Sequence, residues 1–261
     1  MTANAHAIVS SDGRMRRLRI GNALVGLLHL AQAALILSLS NGFAIPVVGG
    51  FAQGPPGDPL PPPELVFEVA FGQVVAAFLL LAAVDHLLMA APGVVGWYQR
   101  NLRQTVNYAR WAEYSISASL MMVLIAMLTG ITNLYGLIGI FAINAAMILF
   151  GLLMERVNQG RARVDWWPFW FGSLAGVVPW LAIVIAVVGA ERGAGDVPGF
   201  VYAIIVSLFL FFNSFAVNMW LQYRKVGPWR DYLFGEQAYI VLSLCAKSAL
   251  AWQVFGGTLA G

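Results

Sequence analysis

Long apolar segments of about 20 residues alternate with short polar joints along the whole chain, and about 20 apolar residues in a helix span a bilayer core. In lipid only helices and closed barrels satisfy the backbone, and these segments lack the alternation of barrel strands. The pattern therefore predicts an all-α bundle of seven transmembrane helices and argues against a sheet. The predicted helices cover 20–39, 65–91, 106–129, 133–154, 167–189, 199–222 and 237–258.

Two regions lie outside these helices. Residues 1–19 are interpreted as a basic tail on the membrane domain 20–261, in preference to a cleaved signal peptide, whose loss would leave six helices. The joint 41–63 (NGFAIPVVGGFAQGPPGDPLPPP) is the longest, and its prolines and glycines argue against helix. It is either a flexible connector or a functional element, namely a structured cap or a segment that contacts a partner.

Composition supports an integral membrane protein whose main partner is the lipid bilayer. Hydrophobic residues make up 60% of the chain and charged residues 10%, with a mean hydropathy of +0.76. The net charge of +3 is explained by basic loops, not by nucleic acid binding. The single cysteine, Cys245, excludes an intrachain disulfide, and no nucleophile triad or nucleotide loop suggests an enzyme.

The basic residues outside the helices predict the orientation. One side of the alternating bundle would carry the N-terminal tail and the second, fourth and sixth joints, and the other side only Arg192. The positive-inside rule then places the N-terminus in the cytoplasm of a cell-membrane protein and the C-terminus outside. The residues on the basic side are Arg14, Arg16, Arg17, Arg19, Arg100, Arg103, Arg156, Arg161, Arg163, Arg224, Lys225 and Arg230.

Lys247 is the candidate reactive residue, because it stands alone in the apolar run Ala238 to Phe255. A Lys at the centre of a membrane helix costs about 2.5 to 3.5 kcal/mol, so it pairs with an acid, loses its proton or is modified. Burial favours the neutral amine, which can attack an aldehyde to form an imine. Glu113 is the candidate partner, since the two lie roughly 15 and 10 Å from the cytoplasmic helix ends at 1.5 Å per residue.

Further polar residues cluster at similar depths. Arg110 and Ser117 share a helix face with Glu113, and an ion pair between Arg110 and Glu113 alone is the competing interpretation. His29 and His86 are candidate proton acceptors or merely hydrogen-bonded core histidines. No short-spaced cluster predicts a metal site. Asp85 is expected to face another side and to be solvated at the helix end.

The outer half of the bundle contrasts with this cluster. Beyond the interfacial Glu64 and Glu68 it offers only neutral polar groups such as Gln73 and Thr258. Because ionisable groups lie on only one side of Lys247, the sequence argues against a proton pump. The candidate lining of an apolar slot beside Lys247 is Trp170, Phe209, Phe212, Trp252 and Met147, although each aromatic is individually more typical of packing or lipid contact.

Five blocks carry a resemblance to a known family: ARWAEYSIS, INAAMILFG, PFWFGSLAGVVPW, VPGFVYAIIVSLFLFFNSFA and YIVLSLCAKSALAWQ. With them the chain resembles the heliorhodopsins, microbial retinal proteins of inverted topology. The resemblance implies all-trans retinal on Lys247 as a protonated Schiff base, Glu113 as counter-ion and Ser243 as neighbour. It also implies a polar pocket with His29 and His86, and a homodimer that uses the first outer loop. Asp85 departs from the apolar residue expected there.

The expected function is light sensing. Light would isomerise the retinal, the proton would move to the cytoplasmic pocket, and the bundle would signal to an unidentified cytoplasmic partner without net transport. A light-driven proton or ion transporter is the alternative, as is a retinal-free receptor or scaffold in which Lys247 only pairs with Glu113.

Overall fold

Seven long apolar helices form the bundle in the computed structural model, which describes residues 2–193 and 197–259. The predicted seven-helix, mostly helical architecture is confirmed. The helices are α1 (Thr2–Leu39), α2 (Phe71–Ala90), α3 (Pro92–Arg103), α4 (Tyr108–Leu128), α5 (Leu134–Val157), α6 (Trp167–Arg192), α7 (Gly199–Tyr223) and α8 (Tyr232–Val254), with a 3₁₀ turn at Gly227–Arg230 and a π turn at Phe255–Leu259. All but α3 are long and apolar enough to cross a membrane.

Side-chain caps explain several helix starts. Asn107 accepts a hydrogen bond from the Arg110 backbone N–H at 3.1 Å, and Asp231 accepts one from Leu233 at 3.1 Å. Each cap satisfies a backbone donor that has no partner within its helix. Two helices begin earlier than predicted: α8 begins at Tyr232 and not at 237, and α1 begins at Thr2 and not at 20, so the described part of the 1–19 tail is helical.

A β-hairpin corrects two predictions, namely that the chain forms no sheet and that the second helix begins at residue 65. Strand β1 (Ala44–Gly49) pairs antiparallel with β2 (Glu64–Ala70), which covers residues assigned from sequence to a helix at 65–91. The β2 sequence ELVFEVA contains β-branched and aromatic residues that favour strands, but in the sequence it runs without a break into the apolar α2.

The hairpin is a structured cap on one end of the bundle. Val48 donates its backbone N–H to the Thr132 carbonyl at 3.0 Å, in the connection between α4 and α5. Asn41 donates its side-chain amide to the Thr258 carbonyl at 3.0 Å, and Val47 is fully buried. Of the two interpretations of the 41–63 joint, the structured cap describes the paired part of this segment.

The short helix α3 occupies the joint between α2 and α4, where no helix was predicted. Its amphipathic sequence buries Tyr98 and Leu102, and Pro92 stands in its first turn. Arg100 and Arg103 lie in the last turn, where cations complement the helix dipole.

The bundle has two chemically different ends. We call the end that carries α3 and the C-termini of α2, α5 and α7 the basic face, and the end that carries the hairpin the hairpin face. The core near the hairpin face is apolar and includes Phe71, Met122, Ile125 and Leu250. Most buried charged side chains lie between this core and the basic face, which is where the candidate site is found.

Candidate functional site

Lys247 of α8 and Glu113 of α4 form a buried ion pair. The Lys247 Nζ lies 3.3 Å from the Glu113 Oε2, and both side chains are about 5% exposed or less. Lys247 also donates to the Ser243 hydroxyl at 2.9 Å, one helical turn earlier. Its Nζ lies 4.6 Å from the ring centroid of Tyr114. A positive charge at this nitrogen is therefore stabilised by a carboxylate, a hydroxyl and a π face.

A mostly apolar cavity lies beside this amine. The cavity volume is about 140 Å³. On this measure roughly 10 to 15 Å³ is enough to hold one water molecule, so the cavity is far larger than a packing defect. Ser243 and Lys247 are its polar groups from α8. The apolar walls include Trp111, Tyr114, Met121, Met147, Phe212 and Phe215.

Only some of the predicted lining residues lie at the cavity. Met147 and Phe212 line the cavity with Lys247 and Ser243. Trp170, Phe209 and Trp252 do not; they are 58%, 45% and 39% exposed on the outer surface of the bundle. The positions of these three residues correct the sequence prediction. Aromatic residues recur on the lipid-facing side of α6 to α8, and the sequence alone does not show which side of each helix faces the cavity. Trp111, Tyr114 and Phe215 were missed.

The cavity opens sideways between α6 and α7. Ser173 and Ala216 both line it and are exposed on the outer surface of the helices. The lateral surface of the bundle faces lipid, so the opening faces lipid. An apolar molecule that carries a group reactive toward amines suits this site, because the walls are mostly apolar and Lys247 supplies an amine inside.

Glycines on α5 and α6 make room for the cavity walls. A Cβ on Gly151 would lie 2.3 Å from the Trp111 ring, and a Cβ on Gly176 would lie 2.6 Å from the Met147 sulfur. Trp111 is held by its indole N–H, which donates to Glu155 at 2.7 Å. The Trp111 ring can stand where it does because residue 151 has no side chain.

Substitution Gly151→Ala is therefore expected to destabilise the protein by about 1 to 3 kcal/mol, as overpacking does. The control is Gly139→Ala on the same helix, where a Cβ meets nothing within 4 Å. There the gain in helix propensity is expected to stabilise by up to about 1 kcal/mol. Thermal unfolding followed by circular dichroism compares the two, and equal midpoints would contradict the role of Gly151.

A polar pocket adjoins the ion pair. His29, Ser117 and the Glu113 Oε1 are buried and have no hydrogen-bond partner within the described part of the chain. The rings of His29 and His86 stack with centroids 5.9 Å apart. Buried polar groups without partners are costly, so this pocket is suited to hold water or a proton.

His86 continues this pocket toward the basic face. Its Nδ1 lies 2.6 Å from the Asn22 Oδ1, and the Asn22 amide contacts the Tyr98 hydroxyl of α3 at 3.4 Å. Burial raises the pKa of Tyr98, so this hydroxyl stays neutral. A chain of polar groups thus links His86 to α3. Within the described residues no three His, Cys, Asp or Glu side chains are grouped to hold a metal.

Arg110 does not pair with Glu113, which removes the competing interpretation of that carboxylate. The Arg110 guanidinium instead contacts Glu155 at 2.5 Å and, through its other terminal nitrogen, Glu236. It stacks on the Tyr239 ring, 3.9 Å from the centroid. All three charged side chains are at most 5% exposed, so this cluster is the second buried charge network of the bundle.

Sequence reasoning missed Glu155 and Glu236 because each stands at a helix end, where solvation is the ordinary expectation. Glu155 accepts from Trp111 at 2.7 Å and from the Tyr232 hydroxyl at 3.0 Å, and Glu236 accepts from the Asn107 amide at 2.7 Å. Asp85 was also misplaced, since it is half-buried and lines a small polar cavity. That cavity also includes His86, Tyr98, Arg110 and Glu236.

Comparison with known proteins now adds to this geometry. The model of the family described as Heliorhodopsin matches residues 18–259, nearly the whole chain. A comparison with curated proteins finds no match.

Solved structures of similar fold include light-driven proton pumps and a rhodopsin. The light-driven proton pump of Leptosphaeria maculans is 16% identical with a TM-score of 0.65, over 92% of this chain and 94% of its own. The light-driven proton pump of Coccomyxa subellipsoidea is 16% identical with a TM-score of 0.62, over 90% and 95%. Exiguobacterium sibiricum rhodopsin is 15% identical with a TM-score of 0.59, over 95% and 96%. At these identities the likeness concerns the fold alone.

Proposed function

The chain belongs to the heliorhodopsin family of retinal proteins, and on that premise we propose that it is a light sensor that signals without net ion transport. In this proposal Lys247 carries all-trans retinal as a protonated Schiff base and Glu113 is the counter-ion. The observation that carries it is the buried pair of these two residues at the wall of an apolar cavity. Bound there, retinal would supply absorption of visible light and isomerisation about one double bond.

The residues around Lys247 suit this assignment. Burial favours a neutral amine, which is the form that condenses with an aldehyde. Once a positive charge resides on the same nitrogen, Glu113 stabilises it by about 4 kcal/mol at 4 Å with an effective dielectric constant of 20. Ser243 accepts a hydrogen bond from that nitrogen at 2.9 Å and orients its proton.

Substitution Glu113→Gln tests the counter-ion. We expect the visible absorption maximum to move and part of the protonated form to be lost, because the neutral amide removes the attraction that holds the proton at Lys247. The control is Glu68→Gln, an exposed carboxylate on β2. Absorption spectra across a pH series provide the measurement, and a spectrum of Glu113→Gln identical to that of the control would exclude Glu113.

We propose that the proton released from the Lys247 nitrogen is taken up in the pocket of His29, His86 and Ser117. Both ring nitrogens of His29 lack a hydrogen-bond partner among the described residues, and the nitrogen that carries no hydrogen in the neutral ring can accept a proton, which supports this role. Asn22 and Tyr98 then connect His86 to α3 on the basic face. A change of charge in the pocket would reach that surface through these contacts.

The buried polar side chains in the hairpin-face half of the bundle support the proposal that the protein transports no ion. Among the described residues its buried polar side chains are neutral, such as Ser119, Thr129 and Asn144. A proton path through side chains needs ionisable groups on both sides of Lys247, and the described residues of this half include no buried Asp, Glu, His, Lys or Arg.

Cells that contain the retinal-loaded protein are therefore expected to show no light-driven pH change in an unbuffered suspension. A pH electrode during illumination, with and without a protonophore, makes the measurement, and a known light-driven pump expressed at the same level is the positive control. A protonophore-sensitive pH change would favour the alternative of a proton transporter, and one that depends on an added salt would favour an ion transporter.

We propose that the basic face lies in the cytoplasm of a cell-membrane protein, which places the N-terminus inside. The excess of arginines at this face supports that orientation. On this topology α3 and the neighbouring loops would meet the unidentified signalling partner. The protein is further proposed to be a homodimer, and the exposed Leu65, Val66 and Phe67 of β2 offer an apolar contact for it. Light scattering after size exclusion tests the dimer.

A further inference from the structure

A second groove lies on the outer surface between α7 and α8, away from the Lys247 cavity. Its volume is about 460 Å³, and its walls include Val217, Leu221, Phe234, Val241 and Leu242. Val217 and Val241 are 53% and 58% exposed, so the groove is open along the bundle's side. Phe234 and Leu242 lie eight residues apart on α8, which corresponds to roughly 12 Å along the helix axis. The groove thus runs parallel to the membrane normal, as an acyl chain does.

The end of this groove at the basic face is built rigidly. The Trp229 indole N–H donates to the Asn218 Oδ1 at 2.6 Å, and the Asn218 amide donates to the Gly235 carbonyl at 3.2 Å. Trp229 also packs edge-on against Phe234, with centroids 4.9 Å apart. Asn218 is only 3% exposed, so these contacts fix the wall of the groove and join α7 to α8.

Two exposed basic side chains lie in the connection between α7 and α8, at the same end of the bundle as Trp229. Lys225 is the second residue after the end of α7 and Arg230 follows Trp229, and both are exposed. Within the described chain neither has an ion-pair partner, and the nearby Asp231 is paired with Arg14. Clusters of basic side chains next to a membrane-facing groove are where acidic lipid headgroups bind.

Gln237 supplies a third matching feature. It lines the groove about one helical turn deeper than Phe234, and its side-chain amide makes no hydrogen bond within the described residues. An ester carbonyl lies one step below the phosphate in a glycerophospholipid. A free amide donor at this depth is suited to that carbonyl.

We propose that this groove binds one anionic glycerophospholipid of the bilayer. Lys225 and Arg230 bind the phosphate and headgroup, Gln237 hydrogen-bonds an ester carbonyl, and one acyl chain lies in the apolar trough past Val241. The polar, ester and acyl parts of one lipid meet the basic, amide and apolar parts of the groove in that order. The site is independent of retinal and of light.

The test is native mass spectrometry of the delipidated protein titrated with phosphatidylglycerol or with phosphatidylcholine of the same acyl chains. We expect one phosphatidylglycerol to bind in preference to phosphatidylcholine. The double variant Lys225→Gln/Arg230→Gln is expected to bind it roughly 30-fold more weakly, on the scale of basic residues near anionic lipid. Val241→Trp, which fills the trough from an exposed position, is expected to abolish binding of this one lipid.

Matched controls separate this site from general attraction to the basic face. Arg100→Gln/Arg163→Gln removes the same charge from exposed positions outside the groove, and Val184→Trp adds the same bulk to exposed α6. Both are expected to bind phosphatidylglycerol as the unsubstituted protein does. The proposal would be overturned if Lys225→Gln/Arg230→Gln and Arg100→Gln/Arg163→Gln lost equal affinity for phosphatidylglycerol. It would also be overturned if the unsubstituted protein bound phosphatidylglycerol and phosphatidylcholine equally well. Circular dichroism and size exclusion confirm folding in each variant.

Discussion

Protein with Lys247→Ala, expressed with all-trans retinal, is expected to lack the visible absorption band entirely. The imine needs an amine inside the cavity, and Lys247 supplies the amine that lies there. The unsubstituted protein is expected to show a band that hydroxylamine bleaches under light, because hydroxylamine competes for the aldehyde carbon. An absorption spectrum of the purified protein gives the answer.

The chain offers an unusually clean control, because its only other lysine is Lys225. Lys225→Ala removes an exposed amine at the basic face and is expected to leave the band unchanged. Reduction of the pigment with borohydride, followed by digestion, should place the retinyl group on the peptide of Lys247 alone. A visible band in Lys247→Ala, or none in the folded unsubstituted protein, would return Lys247 to a structural ion pair with Glu113.

A rescue experiment distinguishes loss of the amine from collapse of the cavity. The preformed imine of retinal with propylamine carries its own nitrogen and needs only the apolar walls and Glu113. Added to Lys247→Ala, it is expected to restore a visible band if the cavity persists, since Trp111, Met147 and Phe212 do not depend on the lysine.

The sequence predicted the parts of this molecule in which one residue contrasts with its surroundings. Lys247 and Glu113 are charges within long apolar runs, and their depths along two parallel helices were enough to expect them to meet. The seven helices were predicted for the same reason, because lipid requires long apolar segments.

Other features depend on helix rotation, which sequence alone does not provide. Trp170, Phe209 and Trp252 are aromatic residues of the same type as Trp111 and Phe215, yet the first three face outward and the last two line the cavity. In a membrane both faces of a helix are apolar, so the amphipathic signal that locates the core of a soluble protein is weak. The strand β2 was missed because its apolar residues continue into α2.

The buried charge network of Arg110, Glu155 and Glu236 was also not predictable from the sequence. Charges near helix ends are usually solvated, and only tertiary contact places these three together. They tie α4 to α5 and α8 close to the basic face. Since Lys247 lies on α8 and Glu113 on α4, the network also fixes the relative positions of the two helices that form the ion pair.

Substitution Arg110→Met is accordingly expected to lower the free energy of unfolding by about 3 to 5 kcal/mol, because it leaves two buried carboxylates without their cation. For a protein of this size that corresponds to a fall in the unfolding midpoint of roughly 6 to 20 °C. Arg100→Met, at an exposed position of the same face, is expected to change the midpoint little. Thermal unfolding in one detergent compares them.

The triple variant Arg110→Met/Glu155→Gln/Glu236→Gln separates the cost of stranded charge from the value of the network. Replacing a whole buried ion cluster by neutral side chains is often tolerated, whereas removing one partner is not. The triple variant is therefore expected to recover most of the stability that Arg110→Met loses. If it is as unstable as the single variant, the guanidinium acts mainly through its stacking on Tyr239 and Trp111, which both variants lose.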